Sequence, residues 1–277
     1  MTLIENKTFD EERALYGSQN LHVVNCSFDG EADGESAFKE SSNVLAQNCY
    51  FNLRYPFWHV NFLSVVDSTF TENARAPFWY TTELEIEKCT INSPKSLREC
   101  TKIAINDTKI SSDELCWSCE NMKILNSSIS GEYFMLRSRN VTIKESALAG
   151  KYSFQYTENL TIENCNLDTK DAFWHAKNVT VRDSIIKGEY LGWYSENLTH
   201  DNCVIVGTQP LCYCKGLTLI NCEMQGCDLA FEKSEVEATL TAPVISIKNP
   251  KSGHISLPLY DELILTEPSS VKIQTEI

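Results

Sequence analysis

A repeat of about 19 residues constrains this chain more than any other feature. Aligned segments begin at Asn20, Asn43, Phe62, Glu83, Lys102, Asn121, Asn140, Asn159, Asn178, Asn197 and Gly216, with gaps of 23, 19, 21 and then 19 throughout. The clearest copies read NVTIKESAL, NLTIENCNL, NVTVRDSII and NLTHDNCVI. Each alternates apolar and polar residues for about four positions and then turns, a period of two that marks strands. Nineteen residues are too few for two helices, so the repeat predicts an all-β, single-stranded, right-handed parallel β-helix of about eleven coils of about 19 residues.

Two columns explain why the chain turns where it does. The anchor column holds seven Asn and one Gly in eleven places. Both residues tolerate the left-handed backbone of a sharp corner, and stacked Asn amides can bond from coil to coil. The Asn-x-Thr sequons this writes, such as Asn140–Thr142, are read as corners. Six positions on, Cys26, Cys49, Ser68, Cys89, Thr108, Ser127, Ser146, Cys165, Ser184, Cys203 and Cys222 form a column of small residues. A narrow coil needs small side chains at an inward corner, and thiols pack as small hydrophobes. Half of the twelve cysteines are thereby assigned to the core. The lone Cys116-x-x-Cys119 pair lacks the second knuckle of a zinc site, so no metal is expected.

The ends depart from the repeat. Thr8 and Glu11 have the spacing of a capping box, which predicts a short helix over residues 9–16 capping the open edge of the first coil. The expected organisation is an N-terminal cap over 1–19, β-helix repeats over 20–234, and irregular C-terminal strands over 235–277 closing the same domain.

One side of the coil is aromatic. The strings YPFWH, PFWY, LCWSC, AFWHA and LGWYS place all five tryptophans, Trp58, Trp79, Trp117, Trp174 and Trp193, in one column with Arg98 and Phe231. The next column carries His59, Tyr80, Tyr156, His175, Tyr194 and Tyr213. The preceding column, with Phe57, Phe78, Phe154 and Phe173, contains no charge and is assigned to the interior. Two orientations of the Trp column stay open. Outside, it makes an aromatic stripe suited to flat, partly apolar ligands such as sugar rings. Inside, it stacks as core. A subunit interface, and hence a homo-oligomer, is a third use of the same residues.

Charged residues near this side supply candidate chemistry. Asp168, Asp171 and Glu189 fall on neighbouring coils, as the two carboxylates of glycoside cleavage require. His59 and His175 follow Phe-Trp in matching segments and are candidates for proton transfer. Arg54, Arg75 and Arg98 suit a substrate carboxylate. Asp29, Glu31, Asp33 and Glu35 read as a solvated turn. No nucleotide or serine-hydrolase motif occurs, and no cofactor is expected.

Formal net charge is −14 with no Lys/Arg run, which disfavours nucleic acid and anionic membranes as partners. Residues 1–10 lack the pattern of a secretory signal, so a cytoplasmic location is expected.

The segments NLRYPFWH, SLREC, DTKDAFWHAKNVTV, GEYLGWYSENLT and GTQPLCYCK resemble a bacterial family of unknown function with the pectin-lyase-like right-handed β-helix. The resemblance covers nearly the whole chain and implies the fold, but no activity. Sugar-active enzymes of the wider superfamily carry clustered Asp calcium ligands or paired catalytic Asp on one strand, and neither pattern is recognisable here. The functional expectation is carbohydrate-type ligand binding or processing along the aromatic side, the latter a glycoside hydrolase or polysaccharide lyase-like activity. The alternative is a non-catalytic structural or oligomerising β-helix.

Overall fold

In a computed structural model, residues 1–275 are described, and none of them is helical. The chain divides into two compact units, Met1–Val141 and a second from Thr142 onward. Each is a parallel β-solenoid.

In the first unit the long strands Thr2–Glu5, Gln19–Val24, Ser42–Gln47, Asn61–Val66, Thr82–Glu87, Thr101–Asn106 and Glu120–Leu125 stack in parallel. Register follows from the alternation. Leu21, Val44, Leu63, Leu84, Ile103 and Met122 lie one above another and are all buried. A slip of one residue would turn this column to solvent. Each coil then corners at Asn, Asp or Lys with positive φ and runs into a short strand such as Thr69–Phe70. Short-strand and turn-side phenyl rings interdigitate inside: Phe51–Phe70 centroids are 4.5 Å apart, Phe57–Phe78 5.7 Å and Phe70–Phe78 5.0 Å. Burying one such ring stabilises by about 1.5–3 kcal/mol.

The second unit repeats the plan with Glu158–Glu163, Lys177–Arg182, Glu196–Asp201, Leu217–Gln225, Glu235–Leu240, Ser252–Leu257 and Ser270–Thr275 as long strands. With Arg139–Lys144 this makes fifteen long strands among the described residues, joined by about fourteen turns rather than about eleven.

The additional turns correct the reading of the ends. The expected N-terminal helical cap is absent. Thr2–Glu5 pairs with Leu21–Val24, and Thr8–Phe9 pairs with Ser27–Phe28. Phe9 stacks on Phe28 at 5.1 Å, and the Glu11 carboxylate accepts the neighbouring Asp10 N–H at 3.1 Å. An eight-residue helix is marginal on its own. The same residues gain a full ladder of backbone bonds and a buried face by continuing the coil. At the other end Glu235–Leu240, Ser252–Leu257 and Ser270–Thr275 are regular parallel strands, whose coils shorten to 17 and 18 residues and so escape the 19-residue rule.

The corner columns do more than fit. Anchor amides bond along the stack, Asn43 to Asn20 at 2.6 Å and Asn197 to Asn178 at 3.0 Å. The small column is a hydrogen-bonding column as well as a packing one. Ser68 Oγ accepts the Cys49 N–H at 3.0 Å and donates to the Val66 carbonyl at 2.8 Å, and Ser184 does the same with Cys165 and Arg182. Cysteines in the column imitate this, Cys49 Sγ donating to the Gln47 carbonyl at 3.3 Å. All twelve cysteines are free and buried. None of the described non-glycine residues with positive φ is Val, Ile or Thr. That follows from the cost of a branched Cβ in the left-handed region.

Candidate functional site

The aromatic side is built from an unusual backbone, in which alternate residues are left-handed. In one coil these are Asp171, Phe173 and His175, with φ of 55°, 64° and 56°; in the next they are Tyr190, Gly192 and Tyr194. The alternation breaks the two-residue period of a strand. Phe173 points in, Trp174 lies half-buried on the outside, His175 is exposed, and Ala176 points in again. This settles the orientation of the Trp column: all five indoles are half-buried on the outer side, and the charge-free column is the core. Glycines let successive coils approach here. Gly207, at φ 145°, would place a Cβ 1.9 Å from the Gly188 carbonyl oxygen.

In the first unit Trp58 stacks on Trp79 at 5.2 Å and 3°. The Arg98 guanidinium follows, 4.4 Å from the Trp79 ring centroid and 4.9 Å from that of Trp117, and bonds Glu114 at 3.0 Å. Each indole N–H donates to a carbonyl of the following coil: Trp58 to Ala76 at 2.8 Å, Trp79 to Lys95 at 2.7 Å and Trp117 to Tyr133 at 2.6 Å. Outside this ladder His59 stacks on Tyr80 at 4.6 Å. Arg54 is held by Asp33 at 3.1 Å, with Glu35 at 3.9 Å, and its Nε is buried without a partner. Arg75 is exposed and has no ion pair among the described residues.

In the second unit Trp174 stacks on Trp193 at 5.5 Å, with their N–H groups donated to Tyr190 and Gln209 carbonyls at 2.6 and 2.9 Å. The outer row is longer. Tyr156, His175, Tyr194 and Tyr213 form one stack with centroid steps of 4.8, 5.0 and 4.8 Å. Tyr156 and Tyr194 are 47% and 44% exposed. Partial burial, with Glu232 nearby, pushes the Tyr213 hydroxyl up from its ordinary pKa. Stacked rings at this spacing cover one another's faces, so what the row offers outward is edges, those of His175, Tyr194 and Tyr213 among them. Phe231 is not part of this side. It is fully buried, because the coil that contains it is one residue longer and Phe231 takes the interior place of Leu211.

The candidate carboxylates divide. Asp168 pairs with Lys187 at 3.2 Å and Glu189 with Lys170 at 2.7 Å, both on the surface. Asp171 is buried, and desolvation raises its carboxyl above the usual range against the opposing pull of Lys170. Its carbonyl accepts the Gln155 amide at 3.5 Å. His59 belongs to the first unit; His175 and all three carboxylates belong to the second. The Asp29–Glu35 turn is engaged internally, Asp29 with Asn52 at 2.7 Å and Asp33 with Arg54. Among the described residues no group of three His, Cys, Asp or Glu side chains is placed to hold a metal ion.

Sequence reasoning missed His200. It occupies a core position between Val181 and Leu219, is 2% exposed, and has an unpartnered Nδ1. Burial lowers its pKa to about 4, so it is neutral at pH 7. Its signal was visible in NLTHDNC, where His stands in the place of Ile or Val.

Fold and site together define a parallel β-solenoid with an external aromatic side. The chain belongs to the family described as protein of unknown function (DUF3737), which it matches over residues 2–277. No curated protein matches it. Similar solved structures include the A-module of mannuronan C-5 epimerase AlgE4 from Azotobacter vinelandii, at 9% identity over 98% of this chain and 87% of that one, with a TM-score of 0.34. HetL, a pentapeptide repeat protein involved in heterocyst differentiation regulation from the cyanobacterium Nostoc sp. strain PCC 7120, aligns at 9% identity over 79% and 91%, with a TM-score of 0.28. A tailspike protein of E. coli bacteriophage HK620, in complex with a pentasaccharide, aligns at 10% identity over 88% and 60%, with a TM-score of 0.29.

Proposed function

We propose that this protein binds an extended carbohydrate-type ligand along its aromatic side, without cleaving it. The observation that carries the reading is the row Tyr156–His175–Tyr194–Tyr213, four stacked rings whose polar edges recur once per coil. The Tyr194 and Tyr213 hydroxyls and the His175 ring nitrogens have no hydrogen-bond partner among the described residues. A polyhydroxylated chain lying along the row meets a donor or acceptor at His175, Tyr194 and Tyr213. The half-buried Trp174 and Trp193 beside it supply apolar edge contact. Binding without cleavage is supported by the carboxylates: Asp168 and Glu189 are committed to lysines, and Asp171 is buried.

A second reading, a structural solenoid whose aromatic side joins subunits, is favoured by one observation. The ring faces are mutually covered and the indole N–H groups are satisfied within the chain, as a purely structural ladder requires. The test is a binding panel of neutral and acidic oligosaccharides, read by calorimetry on wild type, Tyr194→Ala and His175→Ala. Binding that weakens tenfold or more in both variants supports the proposal. Wild-type protein that binds no member and sediments as a dimer, with Tyr194→Ala monomeric, favours the interface.

A further inference from the structure

The outer face of the long-strand sheet in the first unit carries a second feature, unrelated to the tryptophans. In the anchor column, where the neighbouring coils place Asn43, Glu83 and Lys102, stands Phe62. It is 60% exposed, its φ is 58°, and it stacks on no other ring among the described residues. An aromatic residue in the left-handed region, held out in water, is disfavoured twice over.

Phe62 lines a groove of 530 Å³. That volume lies within the range of small-ligand sites, about 300–1,000 Å³. The groove runs across several coils between two ridges of outward side chains. One ridge is the anchor column. The other falls two positions on and is low at Ser64 and Ala104. The floor is strand backbone, whose Leu63 and Leu84 side chains point inward.

Charge narrows the occupant. Among its side chains Glu83 is neutralised by Lys102 at 2.5 Å, and Glu85 and Lys123 balance; Met1 lines the groove as well. Balanced side chains on a chain of net charge −14 give an anion little attraction and a cation no surplus of carboxylates. What it offers is one free aromatic face among aliphatic groups such as Met1 and Leu45 and amide, carboxylate and ammonium groups. That combination fits an uncharged sugar ring, apolar on its face and hydroxylated at its rim.

We propose that a neutral oligosaccharide chain lies in this groove with one ring stacked on Phe62. The ligand class rests on the carbohydrate-type reading above; the site does not. The two sites also differ in how they engage a ring. Along the aromatic side the faces are covered and only edges are offered, whereas at Phe62 the face itself is accessible.

The experiment titrates the full chain with cellohexaose and maltohexaose as neutral probes and with an oligogalacturonate as the acidic one, comparing wild type, Phe62→Ala, Phe62→Trp and Tyr194→Ala. A neutral hexasaccharide is expected to bind in two independent steps, one weakened at least tenfold in Phe62→Ala and kept in Phe62→Trp, the other weakened in Tyr194→Ala. The thermal midpoint of Phe62→Ala should match wild type, because the ring is exposed. No neutral binding, both steps surviving Phe62→Ala, or a preference of this groove for the oligogalacturonate overturns the proposal. A single step lost in Tyr194→Ala sinks the groove and leaves the aromatic-side reading standing; a single step lost in Phe62→Ala, with no acidic probe bound, does the reverse.

Discussion

The two units use one aromatic column in different ways. In the first, the indole stack is interrupted by Arg98, which lies between Trp79 and Trp117 and is tied to Glu114; the outer row is a single His59–Tyr80 pair. In the second, the indole stack is a pair, and the outer row runs unbroken through four rings. The lesson is that aromatic stacking is the scaffold's way of holding an alternating left-handed side together. Each left-handed residue costs of order 1 kcal/mol or more, and each aromatic pair returns about 0.5–1.5 kcal/mol. A ring is informative about ligand binding only where its polar edge or its face is left over. By that criterion the second unit's outer row stands out, and the more numerous tryptophans do not.

The largest difference between the units is expected in acid. The second unit buries His200, and among the described residues the first buries no histidine. Its folded pKa of about 4 lies below the ordinary 6.5, so the unfolded chain binds more protons between those values. Stability therefore rises with pH through this window and is lost as pH falls from 6.5 toward 4, by about 3 kcal/mol at most. Denaturant midpoints across that range should show the loss, and His200→Leu should abolish most of it. A pH dependence unchanged in His200→Leu would remove this distinction.

Next in size is the Arg98 clamp. Arg98→Ala should destabilise by about 2 kcal/mol, since a guanidinium sandwiched between two indoles combines cation–π attraction with its ion pair. The check is chemical denaturation followed by tryptophan emission. In the second unit Tyr194→Ala should cost less, about 0.5–1.5 kcal/mol, because it removes stacking without leaving a charge behind. Equal costs would mean that both ladders are equally structural.

The smallest effect is at Asp171. Its carboxyl is raised by burial, so ionising it opposes folding, and stability falls as pH rises through its folded pKa. Asp171→Asn should raise the thermal midpoint slightly at pH 7 and leave it unchanged at pH 3. A lower midpoint at pH 7 would show that the carboxylate is needed in its charged form.

The repeat was legible because parallel stacking copies each coil's side-chain environment onto the next, so the Asn, small and Phe columns write the register directly. The first coil was less so: Ile4, Asn6, Thr8 and Phe9 fill the same columns as Val23, Asn25, Ser27 and Phe28, but Thr8 and Glu11 also spell a helix cap. The side of the Trp column was not legible by alternation, because left-handed residues at positions such as Asp171, Phe173 and His175 reset the inward–outward count. Phe231 was misplaced by a single extra residue in its coil. For the site, sequence grouped the rings by column correctly. It gave no sign that Arg98 closes one ladder while Tyr156 to Tyr213 continue another, since that depends on ring stacking geometry.

The most direct measurement is an aromatic-region NMR titration with the tightest-binding oligosaccharide from the panel. If the aromatic side of the second unit is the binding surface, resonances of His175, Tyr194 and Tyr213 shift together and saturably, while the Trp58 and Trp79 indole N–H signals stay in place. Saturable binding that leaves all three outer-row rings unmoved would contradict it.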